Sequence, residues 1–501
     1  MKRAAGLVLP LFSLRTRHDW GIGEIADLPL AGRFARSAGF SWLQVLPPHE
    51  LGGDETSPYG ARTAFAIDPV YIALGHVPGS TPELLREAIG ASGEAELAEL
   101  RRLNHVEYTK VRRLKRAALS VLTEAFVAGP LRSGGPLAEE YAAFTARESA
   151  WLDDFARYVA LWNAHHGHGW ETWPAGAAAD PSAVRDQKVL QFFAERQWRA
   201  AKAELHREGV SVMGDVPFIV GAESADVWGR QGEFRRDISL GCPPDPFSAD
   251  GQDWSLPAYD VARMEANDFA FLRARTRRAK SLYDAFRLDH VIGYFRMWLW
   301  DRPPLPREGR FDVTTEEAQQ ARGEKILQVM IEEAGPEALI AEDLGVIPDF
   351  VRSSLQRLGI PGYKVIPWER RDAFHDPRGF DALSVATFST HDTPPITMWW
   401  SELPEEQRAE LAALARFPPD APERLRQEGL YHLLAESGSS LVLMLAEEVL
   451  GEHARVNVPG TVGPHNWSLR LPMPLEDLQD DAEARSRTEA LHKIFQATGR
   501  A

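Results

Sequence analysis

Eight short apolar runs, most of them separated by helical stretches, constrain the fold of this chain more than any other feature. Runs of this length and composition are typical of strands that are buried on both faces of a parallel sheet. Eight is also the number of strands that a closed (β/α)8 barrel needs. We therefore predict an α/β fold, a TIM barrel, with strands near 6–11, 42–47, 210–216, 284–289, 338–343, 363–368, 384–390 and 440–448.

The spacing between these runs is uneven, which predicts two insertions within a single catalytic barrel that spans 1–501. The interval between the second and third runs is far too long for an ordinary connection, and we expect a helical subdomain over 70–208. We expect 217–282, which is rich in Gly, Pro and aromatic residues, to form a loop-rich insertion between strands 3 and 4 over the rim of the barrel. Nothing after the eighth run is long enough for a separate C-terminal β-sandwich.

The charge of the chain excludes two classes of partner. The chain has 72 Asp and Glu against 56 Lys and Arg, and its net charge of −16 would repel nucleic acid and anionic membranes. A neutral ligand would not be repelled in this way. We also expect the protein to be a monomer or a weak homo-oligomer. Cys242 is the only cysteine, so no intrachain disulfide is possible and a reducing, cytoplasmic compartment fits best.

Three carboxylates follow directly after apolar runs, in the segments FRLDH at 286–290, AEDLG at 341–345 and STHDT at 389–393. Because the carboxyl ends of all strands lie at one rim of a parallel barrel, Asp289, Glu342 and Asp392 should face one cavity. Converging acids of this kind are what chemistry at the anomeric carbon of a sugar requires. We therefore predict that these three residues are catalytic.

The residues around Asp289 indicate that it is ionised. Arg287 and Asp289 share one face of their strand because successive side chains alternate. A neighbouring guanidinium favours the charged form of a carboxyl group, which suits a nucleophile. Asp215 ends the neighbouring third run and is interpreted either as a brace on Arg287 at the substrate site or as one half of a buried structural ion pair.

Glu342 has the environment of a general acid. It lies among apolar neighbours, where lost hydration raises the pKa of a carboxyl group. A carboxyl group that stays protonated near neutrality can give its proton to a leaving glycosidic oxygen. Asp343 points to the opposite face of the strand, and we expect it to cap the following helix.

His391 and Asp392 lie just past the seventh run, before two prolines that stop the chain from continuing regularly. Together they would bind adjacent hydroxyls of one sugar and favour its distortion toward an oxocarbenium-like state. A histidine and aspartate pair alone would be weak support for a catalytic role. The pair counts here because Asp392 is the third carboxylate that follows an apolar run.

Aromatic residues outside the apolar runs offer surfaces for a sugar. Flat apolar sugar faces stack on aromatic rings, while Asn, Asp and His bind the hydroxyls. Core packing is the alternative for any single ring, as for Trp20 and Trp467. We expect Tyr59, Trp254 and Asn466 to contact substrate.

A histidine-rich segment, NAHHGHGW, superficially suggests a metal site. Its His165, His166 and His168 are not accompanied by cysteine or by the HExxH spacing of a helical zinc site, so we expect no metal there.

The chain resembles the 4-α-glucanotransferases that are called amylomaltases or disproportionating enzymes, from about residue 6 to about residue 475. The segments that carry this resemblance are SPYGARTAFAIDP at 57–69, GDVPFIVGAESADVW at 214–228, PPDPFSADGQDW at 243–254, RLDH at 287–290, EDLG at 342–345, STHDT at 389–393 and NVPGTVGPHNW at 457–467.

The resemblance implies a barrel with helical insertions that transfers α-1,4-glucan segments to the 4-hydroxyl of an acceptor by retaining double displacement. It assigns the roles of nucleophile, general acid/base and transition-state stabiliser to Asp289, Glu342 and Asp392. It places Arg287 and His391 beside these acids and Tyr59 near the sugar that is cleaved. No metal or organic cofactor is needed for these steps.

Two segments depart from typical bacterial members of that family. The opening AAGLVLPLFSLRTRHDWGIGE and the VIGYFRMW that follows RLDH are more similar to the subgroup that handles maltose and soluble heteroglycan, although the starch-binding modules of its plant members are missing. Chain-length preference therefore stays open. A retaining α-1,4-glucan hydrolase and an inactive glucan-binding protein are the alternatives, and we expect the aromatic insertion at 243–259 to favour sugar over water as acceptor.

Overall fold

The eight apolar runs form a closed parallel barrel, as predicted. The computed structural model describes residues 2–53, 55–244, 249–301 and 306–501. The strands in these ranges are β1 (Ala4–Val8), β2 (Trp42–Gln44), β3 (Ser211–Val216), β4 (Phe234–Cys242), β5 (Gln252–Tyr259), β6 (Ala285–Leu288), β7 (Trp298–Trp300), β8 (Arg310–Phe311), β9 (Leu339–Ala341), β10 (Gly362–Val365), β11 (Ser384–Thr387) and β12 (Leu441–Leu445).

The barrel closes in the order β1, β12, β11, β10, β9, β6, β3, β2, and every neighbouring pair is parallel. The carboxyl ends of the eight strands therefore share one rim, the carboxyl-terminal rim. The other four strands form an antiparallel sheet in the order β5, β4, β7, β8. Because these strands follow the carboxyl ends of β3 and β6, their sheet stands beside that rim.

Helices surround the barrel and fill the long interval after β2. They are α1 (Leu28–Ser37), α2 (Pro82–Leu100), α3 (Tyr108–Phe126), α4 (Pro136–Arg147), α5 (Ser149–Ala164), α6 (Pro181–Arg207), α7 (Ala225–Gly229), α8 (Val261–Ala266), α9 (Ala270–Leu282), α10 (Ile292–Phe295), α11 (Glu316–Ala334), α12 (Asp349–Leu358), α13 (Ile396–Glu402), α14 (Glu405–Leu414), α15 (Glu423–Glu436), α16 (Ala446–Leu450), α17 (Leu475–Leu478) and α18 (Ala482–Ala497). Within the described ranges, none of these helices combines the length and the apolar character that crossing a membrane requires.

The interval 217–282 contains more regular structure than the loops expected there. Strands β4 and β5 pair antiparallel, and α7, α8 and α9 complete the interval. Gly241, which reads as a loop residue in the sequence, is required by the pairing, since a Cβ there would lie 1.8 Å from the carbonyl oxygen of Gln252. Residues 245–248 of this segment lie outside the described residues.

The barrel interior has an apolar floor below a charged layer. The floor is a cluster of its own, separate from the core between the barrel and the helices, and it includes Met213, Ala285, Ile340, Tyr363 and Leu443. Two residues further along β3, β6 and β9, the inward positions are Asp215, Arg287 and Glu342. Because side chains alternate between the two faces of a strand, each of these strands contributes an apolar residue to the floor and, two positions later, a charged residue near the carboxyl-terminal rim.

Arg500 joins the first and last barrel strands at the opposite, amino-terminal end. Its side chain is buried and donates hydrogen bonds to the carbonyl oxygens of Ala4, Ala435, Ser437, Ser439 and Ser440. These contacts connect the start of β1 with the end of α15 and the residues that lead into β12. The guanidinium therefore fastens the seam at which the barrel closes.

We expect Arg500→Ala to lower the free energy of unfolding by about 2–4 kcal/mol, because buried carbonyl groups would lose their donor. A fall in the thermal denaturation midpoint, followed by circular dichroism, checks this expectation. Arg3→Ala is the control, since the exposed Arg3 bonds two of the same carbonyls, those of Ala435 and Ser437, from the solvent side. Equal shifts in the two variants would contradict a special role for Arg500.

Candidate active site

Arg287 lies at the centre of the charged layer and contacts three carboxylates. Its Nη1 is 2.7 Å from Oδ2 of Asp215, and its Nη2 is 2.9 Å from Oδ1 of Asp289. The same Nη2 is 4.0 Å from Oε2 of Glu342. Asp215 is fully buried against Arg287, which matches the second of the two readings that the sequence left open, a buried ion pair.

The shared guanidinium nitrogen limits how far apart Asp289 and Glu342 can be. Since both carboxyl groups approach Nη2, their nearest oxygens lie within about 7 Å of each other. Retaining glycosidases hold their two carboxyl groups roughly 5–5.5 Å apart, and inverting enzymes hold them roughly 6.5–9.5 Å apart to admit a water molecule. This upper limit is compatible with the retaining arrangement.

Glu342 has the raised pKa that an acid catalyst needs. Burial raises its pKa to about 7, against the opposing charge of Arg287 and with a further contribution from Asp289. Its Oε2 accepts the N–H of His290 at 2.8 Å, and its Oε1 accepts the N–H of Leu344 at 2.9 Å. These two bonds fix the carboxyl group and lower its pKa, and the larger effect of burial outweighs them.

The backbone after Asp289 is bent to serve this contact. His290 has a φ of +47°, in the left-handed region that residues other than glycine seldom adopt. Such strained residues persist where surrounding structure holds them, and they cluster at active sites. Here the bend is what places the His290 N–H against Glu342, so it links the nucleophile candidate to the acid candidate.

Asp392 has the opposite electrostatic environment from Glu342. Burial alone would raise the pKa of Asp392, but contacts with His391, Asn457 and Arg287 hold that pKa well below its usual range. His391 Nε2 lies 3.2 Å from Oδ2, and Asn457 Nδ2 donates to Oδ1 at 2.7 Å. The pKa values of two acids at one rim are therefore shifted in opposite directions.

Tyr59 connects the two sides of the cavity. Its hydroxyl donates to Oδ2 of Asp215 at 2.9 Å and lies 3.0 Å from Nε2 of His391. The Tyr59 and His391 rings stack with centroids 5.4 Å apart. One side chain thus contacts both the brace of Arg287 and the partner of Asp392, which agrees with its predicted place at the site.

Trp254 approaches the cavity from the antiparallel sheet. It lies on β5, and its ring meets the His290 imidazole edge-on with centroids 4.7 Å apart. Its indole N–H donates to Oε1 of Gln252 at 3.2 Å. Since His290 follows Asp289 directly, the partly buried Trp254 ring lies near the candidate nucleophile.

Asn466 does not face this cavity with free polar atoms. Its Oδ1 accepts the N–H of Val458 at 2.9 Å, and its Nδ2 donates to the carbonyl oxygen of Thr461 at 2.9 Å. These contacts brace the loop from within, whereas the predicted contact was with substrate. Trp20 and Trp467 are both buried, and the Trp467 ring packs against the rings of Tyr59 and His391.

Asp343 does not cap the following helix. Helix α12 begins at Asp349, with Pro348 before it, and Asp343 Oδ1 instead accepts the N–H of Tyr363 at 2.7 Å. The expected opposite orientation from Glu342 is nevertheless present, because Asp343 faces the next strand, β10. The prediction of a cap was wrong because five residues intervene between Asp343 and the helix.

Two residues of the site escaped the sequence analysis. Asn457 holds the Asp392 carboxylate, and Arg455 Nη2 donates to the Asp392 carbonyl oxygen at 2.8 Å. Both lie in a loop after α16 that has no periodic pattern. Within the resembling segment at 457–467, Asn457 and Asn466 are equally polar, and only the folded loop distinguishes them.

Comparisons with known proteins agree with this geometry. A family model described as 4-alpha-glucanotransferase matches residues 9–476. The 4-alpha-glucanotransferase of Chlamydia pneumoniae is 31% identical, covering 98% of this chain and 93% of the relative. That of Thermus thermophilus is also 31% identical, covering 99% of this chain and all of the relative.

A solved structure is similar over the whole chain. Amylomaltase from Streptococcus agalactiae in complex with acarbose superposes with a TM-score of 0.83 at 23% identity, with 100% of both chains covered. At this level of identity the likeness concerns the fold, and it agrees with the closed barrel described above.

Proposed function

The chain belongs to the 4-alpha-glucanotransferase family, which acts on α-1,4-glucans, and we propose that Asp289, Glu342 and Asp392 carry out the transfer. The observation that carries this proposal is the single nitrogen of Arg287 that reaches both Asp289 and Glu342. The shared nitrogen keeps the two carboxyl groups close enough for a retaining mechanism, which supports Asp289 as nucleophile and Glu342 as acid.

In the first step, Glu342 gives its proton to the bridging oxygen as Asp289 attacks the anomeric carbon. The bond between that carbon and the bridging oxygen breaks, and a β-linked glycosyl-enzyme forms. The pKa of Glu342, raised by burial to about 7, supports its role as acid. Asp392, whose pKa is held low, supplies negative charge while the ring carbon becomes positive.

In the second step, the Glu342 carboxylate takes the proton of an acceptor 4-hydroxyl. The acceptor oxygen attacks the anomeric carbon and displaces Asp289, which restores the α-1,4 bond. Glu342 regains its proton and Asp289 its charge, so the enzyme returns to its starting state. Trp254 and Tyr59 flank the reacting groups, and we propose that they contact the sugars on either side of the bond.

The finer identity of the substrate is part of this proposal. We propose maltooligosaccharides and maltodextrin, with maltose or a soluble glucan as further substrates. The Streptococcus agalactiae amylomaltase was solved in complex with acarbose, which supports a ligand of the glucan class for this chain. A neutral ligand also suits a chain with a net charge of −16. We further propose a cytoplasmic protein that is a monomer or a weak homo-oligomer.

A product ladder tests the proposal. Purified protein given maltotriose should release glucose and form longer oligomers while the total number of reducing ends stays constant. A rise in reducing ends would identify a hydrolase, in which water takes the place of the acceptor. The absence of any turnover would identify a binding protein, and either result would overturn the proposal.

A further inference from the structure

The loop at 388–395, which joins β11 to α13, carries both His391 and Asp392. Its last part has few backbone donors, because Pro394 and Pro395 lack an N–H group. The N–H of Thr393 is used within the loop, where it donates to the carbonyl oxygen of Thr390. Ile396, the first residue of α13, therefore provides the next N–H that can anchor the loop.

Helix α13 lacks a cap from its own segment. The first N–H groups of a helix need acceptors from outside the helix, and a side chain at the N-cap commonly provides one. Pro395 occupies that position and has no such side chain. The Ile396 N–H instead donates to Oε1 of Glu448 at 3.0 Å.

Glu448 is firmly held just after the adjacent barrel strand. It lies in α16 directly after β12, its side chain is 1% exposed, and its Oε2 accepts the N–H of Leu445 at 3.1 Å. Tyr431 donates to the Glu448 carbonyl oxygen at 2.7 Å, which fixes the backbone there. A buried carboxylate is costly unless its oxygens are bonded, so this arrangement is a rigid attachment point.

A second contact ties the same two elements together. The Thr397 hydroxyl donates to the carbonyl oxygen of Glu452 at 2.7 Å. The start of α13 is thus held to the end of β12 and the residues after it by one carboxylate and one hydroxyl.

We propose that Glu448 is a positioning residue of the transfer reaction, which holds the 388–395 loop so that His391 and Asp392 meet the sugar in productive geometry. This inference rests on the proposed function, in which Asp392 stabilises the transition state. Glu448 contacts neither substrate nor the reacting atoms, and it acts through Ile396. A misplacement of about 1 Å at a catalytic group can reduce the rate on the order of 100-fold.

The test compares Glu448→Gln with Glu447→Gln. A glutamine at 448 keeps one acceptor oxygen and turns an NH2 group toward the other N–H, so Ile396 or Leu445 loses its acceptor. Glu447 is the matched control, because it lies in the same helix, is similarly buried and has a pKa that burial raises to about 7. Its Oε2 has no hydrogen-bond partner among the described residues.

We expect Glu448→Gln to lower kcat for maltotriose on the order of 10- to 100-fold with little change in KM. Glu447→Gln should stay within about threefold of the parent enzyme. Thr397→Val, which removes the second contact, should lower kcat in the same direction and to a smaller extent. It also provides a result if Glu448→Gln does not fold.

A titration of His391 separates positioning from general stability. Burial alone would lower the pKa of His391, but the contact with Asp392 raises it above the usual value. If Glu448→Gln displaces Asp392, NMR of labelled histidine should show that pKa falling, and Glu447→Gln should leave it unchanged. Equal losses of kcat and thermal stability in the two glutamine variants would overturn the inference.

The Asp392→Asn variant tests the proposed function separately from the positioning role of Glu448. Full activity of Asp392→Asn would contradict the proposed function itself. An inactive Asp392→Asn together with a fully active Glu448→Gln would contradict the positioning role alone.

Discussion

Asp289→Asn is expected to abolish transfer, with kcat for maltotriose reduced by about 10,000-fold or more. The amide is a poor nucleophile, so the glycosyl-enzyme cannot form at a useful rate. The change is nearly isosteric, and the remaining oxygen can still accept from Arg287 Nη2, which lies 2.9 Å from Asp289 in the parent protein. Initial rates of glucose release from maltotriose measure the loss.

The control for this variant is ligand binding. We expect isothermal titration with maltoheptaose to give a dissociation constant within about tenfold of the parent, because the other substrate contacts remain. Measurable transfer at more than about one hundredth of the parent rate would contradict Asp289 as nucleophile. Loss of both binding and thermal stability would instead indicate that the charge of Arg287 needs Asp289 to keep the fold.

Glu342→Gln is expected to lower kcat for maltotriose by about 1,000-fold and to spare the first step with an activated donor. The fluoride of α-maltotriosyl fluoride leaves without help from an acid, so Asp289 can still attack. The second step lacks its base, and a covalent maltotriosyl-enzyme should accumulate. Intact-protein mass spectrometry after mixing should show one maltotriosyl group per chain.

The pH dependence gives an independent check on Glu342. In the parent enzyme the acid must be protonated for the first step, and burial raises its pKa to about 7. Activity on maltotriose should therefore be present below that pH and decline as the pH rises through it. The first step of Glu342→Gln with the fluoride donor should lack this decline.

Asp343→Asn is the matched control for Glu342, since Asp343 is adjacent but faces β10. We expect it to retain activity within about tenfold of the parent and to keep the decline near pH 7. If Asp343→Asn lost activity as completely as Glu342→Gln, the assignment of the acid to one face of β9 would be wrong.

The barrel could be predicted from the sequence because its strands are buried on both faces. Such strands appear as continuous apolar runs, and a charged residue that breaks the run marks the strand end where Asp289 and Glu342 lie. The antiparallel sheet gave no such signal, since β4 carries exposed charges and Gly241, and β7 and β8 are short. Its pairing depends on contacts that no local pattern records.

Strand periodicity also determines which residues of the site can be predicted from the sequence. Asp215 and Arg287 lie in strands and Glu342 directly follows one, so side-chain alternation along the strand predicts the direction of each side chain. Asn457 reaches Asp392 across 65 positions of sequence from a loop without periodicity. Asn466, in the same loop, instead bonds the backbone of the loop itself. The sequence does not show which of the two asparagines contacts Asp392.

The pairing of β1 with β12 has a consequence for how the protein is made. Ala4 lies opposite Leu441, so β1 must wait until the ribosome has delivered β12, which lies more than 430 residues later in the chain. At typical elongation rates of 5–20 residues per second, this wait is roughly 20–90 seconds. During that time β1 has a bare edge that can associate with other nascent chains, and we expect chaperones to matter more to the yield of this protein than to its final stability.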